Sequence, residues 1–254
     1  MDKLTKRLRT QLLENSAVQI KQSSSWYLPV LPVDVTYKRV RRAKMDILMK
    51  MVLLTLEEAT IRRAANLSEL LLVEELFIAD LMGKMQQTGL IAIDKGVFRL
   101  TSKGQVQLST GIMEEELEEE ASVLFYSPAH DAYWPEMAVT LPGGEKGWSQ
   151  YRYAKQQHRV DESKMLHVLS ECKNSLDENG LQTVVANVLG YADQAIELIP
   201  CLEFQLYNKE QDMFYARVWN TLLEQWDNTL EQQIEEAERV SWRESWNAQV
   251  EDSE

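Results

Sequence analysis

The sequence predicts an α+β chain built in two parts, and three observations predict it. Charge divides near residue 112: residues 1–112 hold 17 of the 27 Lys and Arg but only 11 of the 40 Asp and Glu, a net +6, whereas residues 113–254 carry −19. Helix-like periodicity over residues 37–88 passes into a short hairpin pattern over 90–100, a change of period that marks a change of element. Residues 220–249 then place apolar side chains at three- and four-residue steps, the pattern of a long amphipathic helix.

Composition sets the class. With 254 residues, 44% apolar and 26% charged, the chain is an ordinary globular protein with room for two small cores, and wholesale disorder is excluded. Cys172 and Cys201 fit no paired framework and no CxxC site, so they read as two reduced thiols of a cytoplasmic protein. The start, Met1 to Arg9, has the charge of a signal peptide but no apolar run behind it. No segment reaches the ~18–20 apolar residues a bilayer span needs, so a soluble protein away from membranes is expected.

Residues 3–20 read as a short helix with Leu4, Leu8, Leu12 and Leu13 on one side and Lys3, Lys6, Arg7 and Arg9 around them. Such a basic end docks more often on its own protein or a partner than on a membrane or nucleic acid. Ser23-Ser24-Ser25 break it, and Trp26 to Val35 read as extended chain in which Pro29 and Pro32 point to an edge strand or an arm. Residues 37–56 are expected to be helical, with Val40, Ile47, Leu48, Met51, Val52, Leu54 and Leu56 as the apolar positions. A second helix capped by Asn66 or Ser68 runs to Leu72. A third covers 74–88, with Phe77, Ile78, Leu81 and Met85 inward and Gly89 as its stop. Leu90 to Ile93, the turn Asp94-Lys95-Gly96 and Val97 to Leu100 make a hairpin, and Thr101 to Gly104 open a closing helix.

At these residues the chain resembles a winged-helix domain. The phrases Gln87-Thr88-Gly89-Leu90-Ile91 and Phe98-Arg99-Leu100-Thr101-Ser102-Lys103-Gly104 carry the resemblance, which covers about residues 40–112. It implies an N-terminal winged helix-turn-helix over 37–112, preceded by a helix and arm over 1–36. An acidic linker over 113–121, centred on Glu114 to Glu120, would lead to a small acidic α+β domain over 122–254 ending in the 220–249 helix. Within that domain Asp161 to Glu171 reads as a helix, Gln182 to Gly190 leans to strand, and Cys201–Tyr207 with Met213–Val218 make a hairpin with Leu202, Phe204 and Leu206 on one face. Aromatic residues crowd 125–153, and their few basic neighbours favour a buried core over a base-stacking platform.

The resemblance would send helix three into the major groove and the turn to the neighbouring backbone, but that helix offers Glu74, Glu75 and Asp80 against one Lys84. The nucleic-acid contacts to weigh are therefore Lys38, Arg39, Arg41, Arg42 and Lys44, with Lys84 and Lys95, and the alternative is that the arginines balance the Glu114–Glu120 run. Leu223, Trp226, Leu230, Trp242 and Trp246 are the partner-contact candidates on a terminal helix longer than its domain requires. His130-Asp131 lacks a nucleophile in a suitable setting, and Glu162-Ser163-Lys164 and Glu171-Cys172-Lys173 lack strand context. Gly143-Gly144 lacks the Lys-Ser/Thr of a phosphate loop. No catalytic residue, metal or cofactor is assigned. The sequence reading is a non-enzymatic adaptor or docking subunit of a larger, DNA-associated assembly, with other protein subunits as partners, only weak non-specific DNA contact, and no membrane. Its alternatives are a DNA-binding regulator that homodimerises through the terminal helix, and a subunit of a nucleic-acid-processing enzyme.

Overall fold

The computed structural model describes residues 2–136, 147–154, 160–176, 178 and 180–251; the Gly143-Gly144 pair lies outside the described residues. The elements in order are α1 (Asp2–Leu12), β1 (Val18–Lys44), α2 (Ile47–Glu58), α3 (Ala64–Leu71), α4 (Glu75–Gln87), β2 (Ile91–Asp94), β3 (Val97–Leu100), α5 (Ser102–Thr110) and β4 (Ile112–Ser127). They continue with β5 (Ala132–Pro135), α6 (Glu162–Lys173), β6 (Ser175–Leu176), β7 (Gln182–Asp193), β8 (Glu197–Asn208), β9 (Met213–Asn220), β10 (Gln225–Trp226) and α7 (Asn228–Glu251). Among the described residues, no helix is long and apolar enough to cross a membrane.

The winged-helix assignment and the fold class built on it are overturned. An eight-stranded antiparallel sheet dominates the chain, with neighbours in the order β10-β9-β8-β1-β4-β5 while β7 pairs β1 and β6. The first 44 residues hold α1 and most of them the single long strand β1. Helix 37–56 therefore begins only at Ile47. Val33, Val35 and Tyr37 are buried while Asp34 is exposed, a period-two alternation that carries the strand past the proposed boundary. Pro29 and Pro32 do not mark an edge, because β1 has β8 on one side and β4 on the other; a proline still offers its carbonyl, and Gln194 N–H donates to that of Pro32. The 113–121 linker is strand as well, since Ile112–Ser127 is continuous β4.

The chain forms two compact units, each discontinuous in sequence: 1–35, 121–168 and 190–254 make one, and 36–120 with 169–189 the other. In the first, β8 is covered on both faces. Ile199 and Cys201 join Trp26, Leu28, Val30, Ala216 and Val218 under Leu230 and Ile234 of α7, whereas Leu202, Phe204 and Leu206 pack beneath Leu8 of α1. Leu4, Leu8 and Leu12 recur every four residues, so one face of α1 meets the sheet and its basic residues stay outside. Aromatics of 125–153 serve this core: Tyr151 packs on Trp26 with ring centroids 4.6 Å apart, Phe125, Trp134 and Tyr153 lie against the same cluster, and the buried Tyr126 and Tyr133 pack on each other at 4.9 Å.

The terminal helix starts at Asn228, not at 220. Asn220 ends β9 and its side chain accepts from the Leu222 and Leu223 amides, turning the chain before β10. Asp227 then caps α7, accepting from the Leu230 amide at 3.2 Å. The helix closes the open edge of β9: Glu231 accepts from Val218 N–H and Glu235 from Ala216 N–H, both at 3.0 Å. The match is geometric, because four helical residues rise ~6 Å and two strand residues ~7 Å. An edge left bare would invite pairing with other chains.

In the second unit, α2 to α5 and the β2–β3 hairpin enclose Val52, Leu53, Leu56, Leu67, Ile78, Met85, Leu90 and Ile91. Lys95 and Gly96 both have positive φ (50° and 77°) between the paired Asp94 and Val97, the two-residue turn that matches strand twist. Gly104 lets α5 approach the hairpin, since a Cβ there would sit 2.1 Å from the Leu90 carbonyl oxygen.

Candidate protein-docking surface

The α3–α4 turn arises from a run that no single helix face can bury. Residues 70–78 read Leu-Leu-Leu-Val-Glu-Glu-Leu-Phe-Ile, seven apolar side chains in nine positions. Leu71 and Val73 pack on the helical core and Ile78 is fully buried, so the remainder faces out: Leu70 is 60%, Leu72 92%, Leu76 79% and Phe77 55% exposed. Phe77 thus leaves the inward stripe proposed for helix three, which consists of Ile78, Met82 and Met85 with Leu81 half-buried. Leu72 ends α3 in the left-handed conformation (φ 54°), a place where glycine or asparagine is usual. The left-handed backbone is held by cap bonds from the Leu72 and Val73 amides to the Ser68 carbonyl, but the Leu72 side chain stays almost wholly in solvent, which is unfavourable.

Carboxylates surround this apolar turn. Glu69, Glu74, Glu75 and Asp80 are exposed, and no Lys or Arg occurs between Ala64 and Gly83. Asp80 pairs with Lys84 at 2.9 Å; among the described residues no basic side chain pairs with Glu69, Glu74 or Glu75.

The basic candidates lie elsewhere and mostly hold intramolecular partners. Lys38 meets Glu116 at 2.5 Å, Arg41 meets Glu115 at 3.0 Å, Arg42 meets Glu114 at 2.8 Å, and Arg39 pairs with Glu120. Lys103 adds to Glu116 at 3.6 Å. The hydrogen bond from Lys38, then its charge, hold the Glu116 carboxyl below the usual range. Burial, and then its bond to Glu120, push the Tyr37 hydroxyl up. A nucleic acid at β1 would have to displace this ladder of pairs. Lys44 instead lines an open hollow of about 810 Å³ with Lys50 and Asp46, and Lys95 stands exposed at the hairpin tip.

The partner-contact candidates of the terminal region are taken up by the chain's own sheet. Leu230 is fully buried and Trp242 packs on the same core. Trp226 lies edge-on to Phe204 and Trp219, with Arg217 4.7 Å from its ring centre. Trp246 packs on Tyr207 and Phe214, with the Lys21 ammonium 3.6 Å from its ring centre. Leu223 is half-buried, and Val240 of the proposed stripe is exposed.

In the first unit, titratable side chains cluster around His130, Arg152 and Lys164, among other places. His130 bridges Ser127 (Oγ to Nδ1, 2.7 Å) and Asp227 (Nε2 to Oδ1, 2.9 Å), and Asn220 donates to Asp227 at 2.9 Å. Sequence order paired His130 with Asp131; space pairs it with Asp227, 97 residues away. Burial works to raise the Asp227 pKa, but the bonds from His130, Asn220 and the Leu230 amide outweigh it and hold the carboxyl low. Ser127 is completely buried, so this Ser–His–Asp chain is a clasp at the start of α7, out of reach of a substrate. Arg152 makes a bidentate bond to the buried Glu203 (2.8 and 3.0 Å) and also pairs with Glu238, while Trp26 donates to Glu203 at 2.6 Å. Lys164 pairs with Asp131 at 2.7 Å near Asp161 and Glu162, on helix α6. Among the described residues, no group of three or more His, Cys, Asp or Glu is arranged to hold a metal ion.

Comparison with protein-family models, with curated proteins and with solved structures found no match to this chain.

Proposed function

We propose that the chain is a non-enzymatic docking subunit that binds another protein through the α3–α4 turn. The observation that carries this reading is Leu72, almost fully exposed within a patch that also contains Leu70, Leu76 and Phe77. Four large apolar side chains exposed together at one turn are explained by a contact made outside the chain. The pairing of the β1 basic residues with β4 carboxylates supports a protein partner over a nucleic acid.

The test is site-specific photo-crosslinking in the native cell, with the crosslinker at Leu76 and, as a control, at the exposed Glu236 of α7. A discrete adduct with a second polypeptide from position 76, and none from 236, is expected. Adducts removed by nuclease, or none at position 76, would sink the reading.

A further inference from the structure

Resting on the docking reading, we infer that the α3–α4 turn receives a basic segment of a partner protein anchored by aliphatic side chains. The turn offers two complementary features. Leu70, Leu72, Leu76 and Phe77 give an apolar centre that a partner's leucine-like anchors would cover. Glu69, Glu74, Glu75 and Asp80 flank that centre with charge of one sign, and the one basic residue between Ala64 and Gln87, Lys84, is paired with Asp80. Rim charges select partners by sign more than they add affinity, so lysines or arginines beside the anchors are the matching chemistry.

The same rim speaks against the other occupants. Phosphates and anionic lipid headgroups would meet like charge. A second copy bound turn to turn would set Glu69, Glu74 and Glu75 against themselves. The chain's own basic amphipathic helix, α1, has its leucine face already packed on the sheet.

The experiment uses the full-length protein and two labelled helical peptides with identical leucine positions, one with lysine and one with glutamate at the polar positions. The lysine peptide is expected to bind at least about tenfold more tightly at low salt and to weaken as salt is added. Leu72→Gly with Leu76→Ser should lower its affinity about tenfold, as loss of central anchors does. Glycine adopts the Leu72 backbone without strain, so this variant tests the side chain and not the fold. Reversing charge at Glu69, Glu74 and Glu75 to lysine should transfer the preference to the glutamate peptide.

Equal binding of both peptides, or binding of neither, overturns the inference. So does lysine-peptide binding untouched by the Leu72 and Leu76 substitutions, which would place the peptide elsewhere on a chain of net charge −13. Leu72-dependent flotation with phosphatidylcholine vesicles would assign the turn to a membrane, and would also overturn it. A polypeptide crosslinked from position 76 together with failure of the peptide arms rejects the partner's chemistry and leaves the docking reading standing; absence of that crosslink rejects the docking reading itself.

Discussion

Helices α7 and α4 are both amphipathic, yet they use their apolar residues in opposite ways. On α7, Leu230 and Ile234 are completely buried against the sheet, and Glu231 and Glu235 bond the edge of β9. On α4, Leu76 and Phe77 stay in solvent beside Leu72, under a rim of carboxylates. An apolar stripe therefore does not say whether it serves the fold or a partner. What decides is whether the fold supplies a second surface to cover it.

The sharpest way to break this contrast is paired truncation. Leu230→Ala should cost ~3 kcal/mol from lost burial and the cavity left behind, whereas Leu76→Ala should stay within ~0.5 kcal/mol. Urea unfolding of the two variants reads both, and similar losses would erase the distinction.

Next in size is the clasp below α7. Asp227→Ala leaves His130 and Asn220 without their acceptor and should cost ~3 kcal/mol at neutral pH. The sign with pH follows from the lowered folded pKa. Asp227 contributes fully above its unfolded value near ~4 and loses that contribution as pH falls through its lower folded value. The stability gap between the wild type and Asp227→Ala should accordingly close in acid, below pH ~4, and a gap independent of pH would reject the ionic role.

The edge closure separates acceptor from charge. Burial pushes the Glu231 carboxyl up, opposed by the Val218 amide and Arg217, so its negative charge is not what the site favours. Glu231→Gln retains an oxygen for the Val218 amide and should cost under ~1 kcal/mol, while Glu231→Ala orphans that amide at ~2 kcal/mol. Equal losses in thermal unfolding would show that charge, not acceptance, matters. The smallest effect belongs to the β1–β4 ladder. Arg41→Gln removes a solvent-exposed pair with Glu115 and should shift stability by no more than ~0.5 kcal/mol, less at high salt.

Much of the local structure was legible in the sequence. The Asp94-Lys95-Gly96 turn, the Cys201–Val218 hairpin and the core role of the 125–153 aromatics follow from turn chemistry, alternation and the local scarcity of positive charge. The sequence reading took only Trp26 to Val35 of β1 as extended, because Lys38 to Lys44, crowded with cations, fits a helix start as readily as a strand. Its true signal was the alternation of Val33, Val35 and Tyr37. The α3–α4 turn carries an excess of apolar residues over 70–78, but helical periodicity alone assigned Phe77 to the core.

By itself the sequence determined where chain direction changes, which segments alternate or repeat, and how positive and negative charge divide along the chain, because these depend on neighbours a few residues apart. The tertiary structure alone decided that Glu114 to Glu116 would meet the basic residues of β1, and that His130 would join Asp227 rather than Asp131. It also decided that the α7 stripe would be covered and the α3–α4 leucines left bare. Those outcomes depend on which surfaces meet across tens of residues, and residue spacing carries no record of that.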